Sequence, residues 1–135
     1  MDYYDQIKRD EGLRLHPYTC TANKLSIGYG RNLIDNGITE QEAEILLHGD
    51  IKIARQDAQV FAGIDVWSRL SPTRQAVIIN MAFNLGLSRL RKFKRLHLNL
   101  ANGRFDQAAV EMLDSRWASQ VGHRAIRLAD AMRLG

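Results

Sequence analysis

Glu11 stands immediately before Gly12, and a single cysteine, Cys20, and a serine, Ser26, follow within the next fifteen residues. A carboxylic acid can deliver a proton to a leaving oxygen, as cleavage of a glycosidic bond requires. A second group on the opposite face of the sugar then stabilises positive charge, positions water or attacks. Glu11 is a candidate for the first role. A thiol acts as base or nucleophile only as thiolate, which needs a cation or a dipole beside it, and a serine hydroxyl can orient water. Each residue also has an ordinary reading: a solvated helix-end carboxylate, a small buried cysteine, a polar residue on a strand. Spacing alone favours the ordinary readings.

The elements that must position these groups can be read from pattern. Tyr3 and Ile7 fall at helical spacing, and Gly12 is a natural stop for a helix over Asp2 to Arg9. Glu11 therefore sits at the negative end of the helix dipole, where a basic residue is favoured. From Leu13 to Leu33 the texture becomes strand-like, with Leu25, Ile27 and Tyr29 alternating, a turn at Thr21–Asn23, and Pro17 arguing against a central strand at its own position. Gly28 and Gly30 suit close backbone approach. Thr39 and Glu42 form a capping box ahead of a long helix with Ile45, Leu46, Ile53 and Val60 as its apolar stripe.

"SPTRQAVIINMAFNLG" follows as a nearly all-apolar helix, with Ser71 as N-cap, Pro72 first and Gly86 as stop. "LRKFKRLHLNLANG", "RFDQAAVEMLDS", "SRWASQ" and "GHRAIRLADAMRLG" complete an all-helical remainder. The outline is an α+β domain over residues 1–135. Its minor lobe, about residues 13–50, holds a short antiparallel β-sheet, and a long helix connects it to the rest. Its all-α lobe covers about residues 60–135 plus the N-terminal helix. The cleft between lobes is the default ligand site.

Composition narrows the class. At 135 residues with 45% hydrophobic and 25% charged content, the chain can build a real core and is not disordered. One cysteine makes no internal disulfide and fits synthesis in a reducing compartment. The formal net charge of +4 and the pI of about 9.5 favour polyanionic partners such as nucleic acid, anionic lipid or an acidic wall polymer, without choosing among them. No signal peptide is visible, and the longest apolar run, "AVIINMAF", is broken by Asn80 and too short to span a bilayer. His16, His48, His97 and His123 show no metal-ligand spacing.

"DEGLRLHPYTCTANKLSIGYGRNL" as a whole resembles the phage lysozyme, or endolysin, family (glycoside hydrolase family 24). The family pattern is a catalytic Glu, eight residues, an Asp or less often a Cys, five residues, and a Thr. Glu11, Cys20 and Ser26 occupy those positions. The resemblance continues in "NGITEQEAEILLHGDI", "RQAVIINMAFNLG", "RFDQAAVEMLDSRWASQ" and "HRAIRL", and so covers nearly the whole chain. It implies a lysozyme-like fold and a muramidase that hydrolyses the β-1,4 bond from N-acetylmuramic acid to N-acetylglucosamine in bacterial peptidoglycan. Such an enzyme needs no cofactor or metal. It implies Glu11 as general acid, kept protonated by burial, and Arg124 as the arginine that holds it. It also implies synthesis in the host cytoplasm, release to the wall through holin-made lesions, action as a monomer without stable membrane insertion, and no nucleic-acid partner.

Two departures matter. A thiol lacks the fixed charge of Asp, so Cys20 is a water-activating or positioning group first and a covalent nucleophile second. Ser26 keeps the hydroxyl of Thr and loses the methyl that limits its rotamers. Asn84, Tyr18 and Tyr29 are further candidates for sugar contact. Arg31, where the family often has His, is expected to pair with Asp50. A lytic transglycosylase, which needs one carboxyl group and no second, is the alternative enzyme. A non-catalytic basic helical module that binds nucleic acid is the alternative outside enzymes. "RLRKFKRLH", Arg89 to His97, is the densest basic cluster. It reads either as a solvated helix face or as an attraction to an anionic wall or membrane surface.

Overall fold

A computed structural model describes residues 2–135. Helix α1 runs Tyr3–Glu11 and starts at Asp2, whose carboxylate accepts the Asp5 N–H at 2.9 Å. It ends at Gly12, with a positive φ of 73° and an N–H returned to the Lys8 carbonyl. Three strands follow, β1 (Arg14–Thr19), β2 (Leu25–Gly28) and β3 (Arg31–Asn32), in an antiparallel sheet ordered β1-β2-β3. Tyr18 pairs with Ser26, and Ser26 with Asn32, so Ser26 lies on the central strand. Pro17 is on an edge strand, beside a register irregularity between Arg14 and Tyr18. The two-residue β3 and the short α2 (Leu33–Asn36) carry too little periodicity to be read from sequence.

The chain divides within α3 (Glu40–Ala62) into a unit ending at Leu46 and a second over Leu47–Gly135. Among the described residues of the first unit, Ser26 is the one buried side chain, and no apolar side chain is buried. Polar contacts shape this unit instead. Thr39 and Glu42 form the expected reciprocal capping box: the Glu42 N–H donates to Thr39 Oγ1 at 3.1 Å, and the Thr39 N–H to Glu42 Oε1 at 2.9 Å. Arg31 forks onto the same carboxylate, Nη1 to Oε1 at 2.8 Å and Nη2 to Oε2 at 2.6 Å, and adds a bond to the Gly37 carbonyl at 3.1 Å. The partner of Arg31 is therefore Glu42 and not Asp50. The capping box turns the Glu42 carboxylate back toward the chain entering α3, where Arg31 lies. The Lys8 ammonium stands 5.0 Å from the Tyr4 ring and 5.5 Å from the Tyr29 ring.

The second unit holds the apolar core. Its elements after α3 are α4 (Ile64–Arg69), α5 (Pro72–Leu90), α6 (Lys94–Ala101), α7 (Phe105–Leu113), α8 (Arg116–Val121) and α9 (His123–Leu134). Helix α5 is capped by Ser71 with Pro72 in its first turn, and it buries Val77, Ile78, Met81, Ala82 and Leu85. Met112, Trp117, Ala125, Ala129 and Met132 close around it. Each large side chain of this set removes water from its surface for about 1.5–3 kcal/mol. Helix α3 contributes Ala54, Ala58, Phe61 and Ala62, whereas the expected stripe of Ile45, Leu46, Ile53 and Val60 is exposed. Three of the four buried residues are alanines, too small for a count of large apolar residues to single out. The helical path from Pro72 stops at Gly86, φ 76° and ψ 164°, as expected, and a second helical stretch continues beyond this kink to Leu90. Among the described residues no helix is long and apolar enough to cross a membrane.

The Arg31 fork holds the Glu42 carboxyl down at about 2, helped by the Thr39 N–H. The folded value lies below the unfolded one. The fork therefore contributes stability above the ordinary carboxylate range, and that contribution is lost as pH falls toward about 2. In Arg31→Met the Glu42 midpoint should rise toward roughly 4.3, read by NMR titration of side-chain carboxyls, and acid unfolding should begin at higher pH. An unchanged Glu42 midpoint would show that the fork does not form in solution.

Candidate active site

Glu11 is the last residue of α1, so its side chain leaves the helix where the chain turns into β1. Its carboxylate lies against the backbone of Gly30, in the turn between β2 and β3. A Cβ at position 30 would come within 2.7 Å of Glu11 Oε2 and 3.2 Å of Cδ. Gly30 also has φ 77°, a conformation that side chains other than glycine's strain to adopt. The turn thus requires glycine here, and the Glu11 carboxylate occupies the space that a Cβ would take; Glu11 is exposed and not buried as the resemblance implied. At Gly28, with φ 70°, only the turn does, because nothing lies within 4 Å of a would-be Cβ.

Cys20 follows β1 at the start of a tight turn. The Asn23 N–H donates to the Cys20 carbonyl at 2.8 Å and the Cys20 N–H to the Lys24 carbonyl at 2.9 Å, with Asn23 in the left-handed region at φ 61°. The Lys24 N–H, then the Ala22 N–H, and to a smaller degree the Ser26 hydroxyl draw the thiol below its ordinary pKa, partly offset by burial. The sequence called for a cation or a dipole, and backbone N–H groups supply the dipole. Ser26, 2% exposed, faces both this thiol and the Lys24 carbonyl, to which its hydroxyl donates at 3.2 Å. A buried serine flanked by the exposed Leu25 reverses the apolar-in reading of β2.

Tyr18 is half-buried opposite Ser26, with the Arg14 guanidinium 4.8 Å from its ring, and Tyr29 is exposed beside Lys8. In the second unit, Asn84 accepts the Trp117 indole N–H at 2.8 Å. Arg124 donates through Nε to Asn80 Oδ1 at 2.9 Å and through Nη2 to the Asn80 carbonyl at 3.4 Å. Asn80 and Arg124 form the polar end of a cavity of about 310 Å³ whose other walls include Leu47, Ile51, Ile79 and Phe83. Asn80 was visible in the sequence only as a break in an apolar run. The structure brings Glu11 to Gly30 and Cys20 to Ser26 within the first unit, and Arg124 to Asn80 and Asn84 to Trp117 within the second. Among the described residues no group of three His, Cys, Asp or Glu could hold a metal ion.

Residues 8–130 match the family model described as phage lysozyme, and the chain belongs to that family. It is 23% and 26% identical to two probable T4-type lysozymes of Dictyostelium discoideum, each match covering 97% of this chain and 93% of the relative. It is 27% identical to the pre-baseplate central spike protein Gp5 of Enterobacteria phage T4 over 95% of this chain, which spans only 27% of that longer protein. It is also 38% identical to an endolysin from Acyrthosiphon pisum secondary endosymbiont phage 1, over 61% of this chain and 56% of the relative.

Two outcomes check the site. Gly30→Ala should cost about 1–2 kcal/mol from its left-handed backbone and displace the Glu11 carboxyl. Chemical denaturation and the Glu11 side-chain NMR signals measure the two effects, and a stable variant with an unmoved Glu11 signal would contradict the contact. The alkylation rate of Cys20 should rise with pH through a midpoint below that of a free cysteine, roughly 8.5. A midpoint at or above that of a model thiol would rule out the donor arrangement.

Proposed function

We propose that this chain is an endolysin that hydrolyses the β-1,4 bond between N-acetylmuramic acid and N-acetylglucosamine in bacterial peptidoglycan, with residues 1–135 acting as one lysozyme-like domain. The observation that carries the reading is the Glu11 carboxylate lying against the Gly30 turn, in the space a Cβ there would fill, in a chain of the phage lysozyme family. Glu11 protonates the glycosidic oxygen as the bond to it breaks, and positive charge spreads onto the anomeric carbon and ring oxygen. Cys20, drawn toward thiolate by the Lys24 and Ala22 N–H groups, takes a proton from water as that water attacks. Ser26 orients the pair. Arg124 and Asn84 serve substrate or the acid from the second unit, and Tyr18 and Tyr29 offer rings to sugar. In a host cell the protein would be made in the cytoplasm, reach the wall through holin-made lesions and act there as a monomer.

Turbidity of outer-membrane-stripped Gram-negative cells tests the reaction. Wild type should clear them, and Glu11→Gln should lose about 10²–10⁴-fold in rate, the usual worth of a general acid. Muropeptides released by wild type should carry reducing muramic ends; 1,6-anhydro ends would instead identify a lytic transglycosylase. Cys20→Asp should stay active and Cys20→Ser lose most activity, because the position needs a proton acceptor. Because the working form is thiolate, wild-type rate should fall as pH drops through the lowered thiol pKa. Equal activity of both Cys20 variants would make the thiol a spectator.

A further inference from the structure

The five cations of the first unit are all engaged: Arg9, Lys24 and Arg31 with carboxylates, Lys8 and Arg14 with aromatic rings. Around the junction of α5, α6 and α8 the situation is the opposite. Arg89, Arg91, Lys92, Lys94, Arg95 and Arg116 are exposed. Among the described residues their side chains enter no ion pair, hydrogen bond or ring contact. Only Glu111 and Asp114 line the neighbouring surface as acids. Of the six, Arg89, Lys92, Lys94, Arg95 and Arg116 line two neighbouring depressions against those two carboxylates, a surplus of three. Lys94 and Arg95 also occupy the first turn of α6, where the helix dipole disfavours positive charge. Helix stability therefore does not explain them.

The patch has relief as well as charge. One depression of about 350 Å³ is lined by Arg89, Lys92 and Arg116 with Phe93, Ser115 and Gln120, and no carboxylate lines it. A second of about 370 Å³ adjoins it across Lys92, Phe93 and Ser115, and there Lys94 and Arg95 face Glu111 and Asp114. Three unpaired cations around one hollow match a phosphate monoester, which carries about −1.5 to −2 charges, better than a single carboxylate. The mixed neighbour repels a second phosphate and accepts hydroxyl or amino hydrogens.

We propose that these adjoining depressions bind one phosphate ester borne on an amino sugar. The phosphate sits among Arg89, Lys92 and Arg116, and the sugar lies toward Glu111 and Asp114. A nucleic-acid backbone, one charge per ~1.7 Å of duplex, would set further phosphates against those two carboxylates. A bilayer would need exposed apolar side chains in the hollows, and those that line them, Leu85, Phe93, Leu96 and Trp117, are half-buried or buried. The site shares no residue with Glu11, Cys20 and Ser26, and its test does not depend on any hydrolytic activity.

The full chain is titrated, with backbone amides followed by NMR, against glucosamine 1-phosphate, glucosamine, inorganic phosphate, phosphatidylglycerol vesicles and a short DNA duplex. Glucosamine 1-phosphate should bind about tenfold more tightly than glucosamine or phosphate alone, with shifts centred on residues 85–96 and 111–120, and should weaken with salt. The triple variant Arg89→Gln, Lys92→Gln, Arg116→Gln should lose about tenfold or more of that affinity at an unchanged thermal midpoint. If it does not fold, Lys92→Gln alone should lose about threefold. Equal binding of phosphate and sugar phosphate overturns the proposal, as does tighter binding of DNA or vesicles, or shifts centred elsewhere.

Discussion

The first unit is organised around the fork from Arg31 to Glu42. With no buried apolar side chain among its described residues, it cannot rely on the hydrophobic term that dominates folding elsewhere. Arg31 follows Gly30 directly, and Glu42 is locked to Thr39 at the head of α3. Holding Arg31 therefore holds the turn on which the Glu11 carboxylate rests. Lys8, between the Tyr4 and Tyr29 rings, approaches the same turn from α1. Such contacts are individually weak at a surface. They act here by overlapping on four consecutive residues, 29 to 32, including the Asn32 that pairs with Ser26.

The second unit obeys another economy. Apolar side chains of α5 and of the helices after it supply the core, and two asparagines on α5 carry specific contacts. Asn80 and Asn84 are one turn apart, and each meets one partner, Arg124 on α9 and Trp117 on α8. Asn80 is half-buried and Asn84 exposed, so these bonds orient their partners more than they relieve buried polar groups. The two contacts thus set the placement of α8 and α9 along α5 while leaving the apolar packing intact.

Much of this was legible in the sequence, for reasons that differ by residue. Gly12, Thr39, Glu42, Ser71 and Pro72 announce helix ends through local hydrogen bonding, which depends only on neighbours in the chain. The close approach expected of Gly30 is present, although its partner, Glu11, lies nineteen residues away and could not be named from spacing. The α3 stripe was misread because periodicity weighs large apolar residues, whereas three of the four buried residues are alanines. Arg31 found Glu42 because a carboxylate already oriented by a cap outcompetes one that only matches in charge. The stop expected at Gly86 is present as a kink between two helical stretches, because its positive φ and extended ψ leave the helical region. The roles of Cys20 and Ser26 came from resemblance. The donors that make such a role chemically sensible arise from a turn whose dihedrals no motif records.

That turn has a wider implication for how residue 20 can vary. The groups that favour negative charge there are mostly main-chain N–H groups, of Lys24 and Ala22. Their orientation follows from backbone winding and is indifferent to which side chains decorate it. A carboxylate in place of the sulfur would meet the same donors, and so would its conjugate acid. The electrostatic environment is therefore a property of the loop's path, handed unchanged to whichever acidic group occupies it, and the identity of that group can drift without the surroundings being rebuilt.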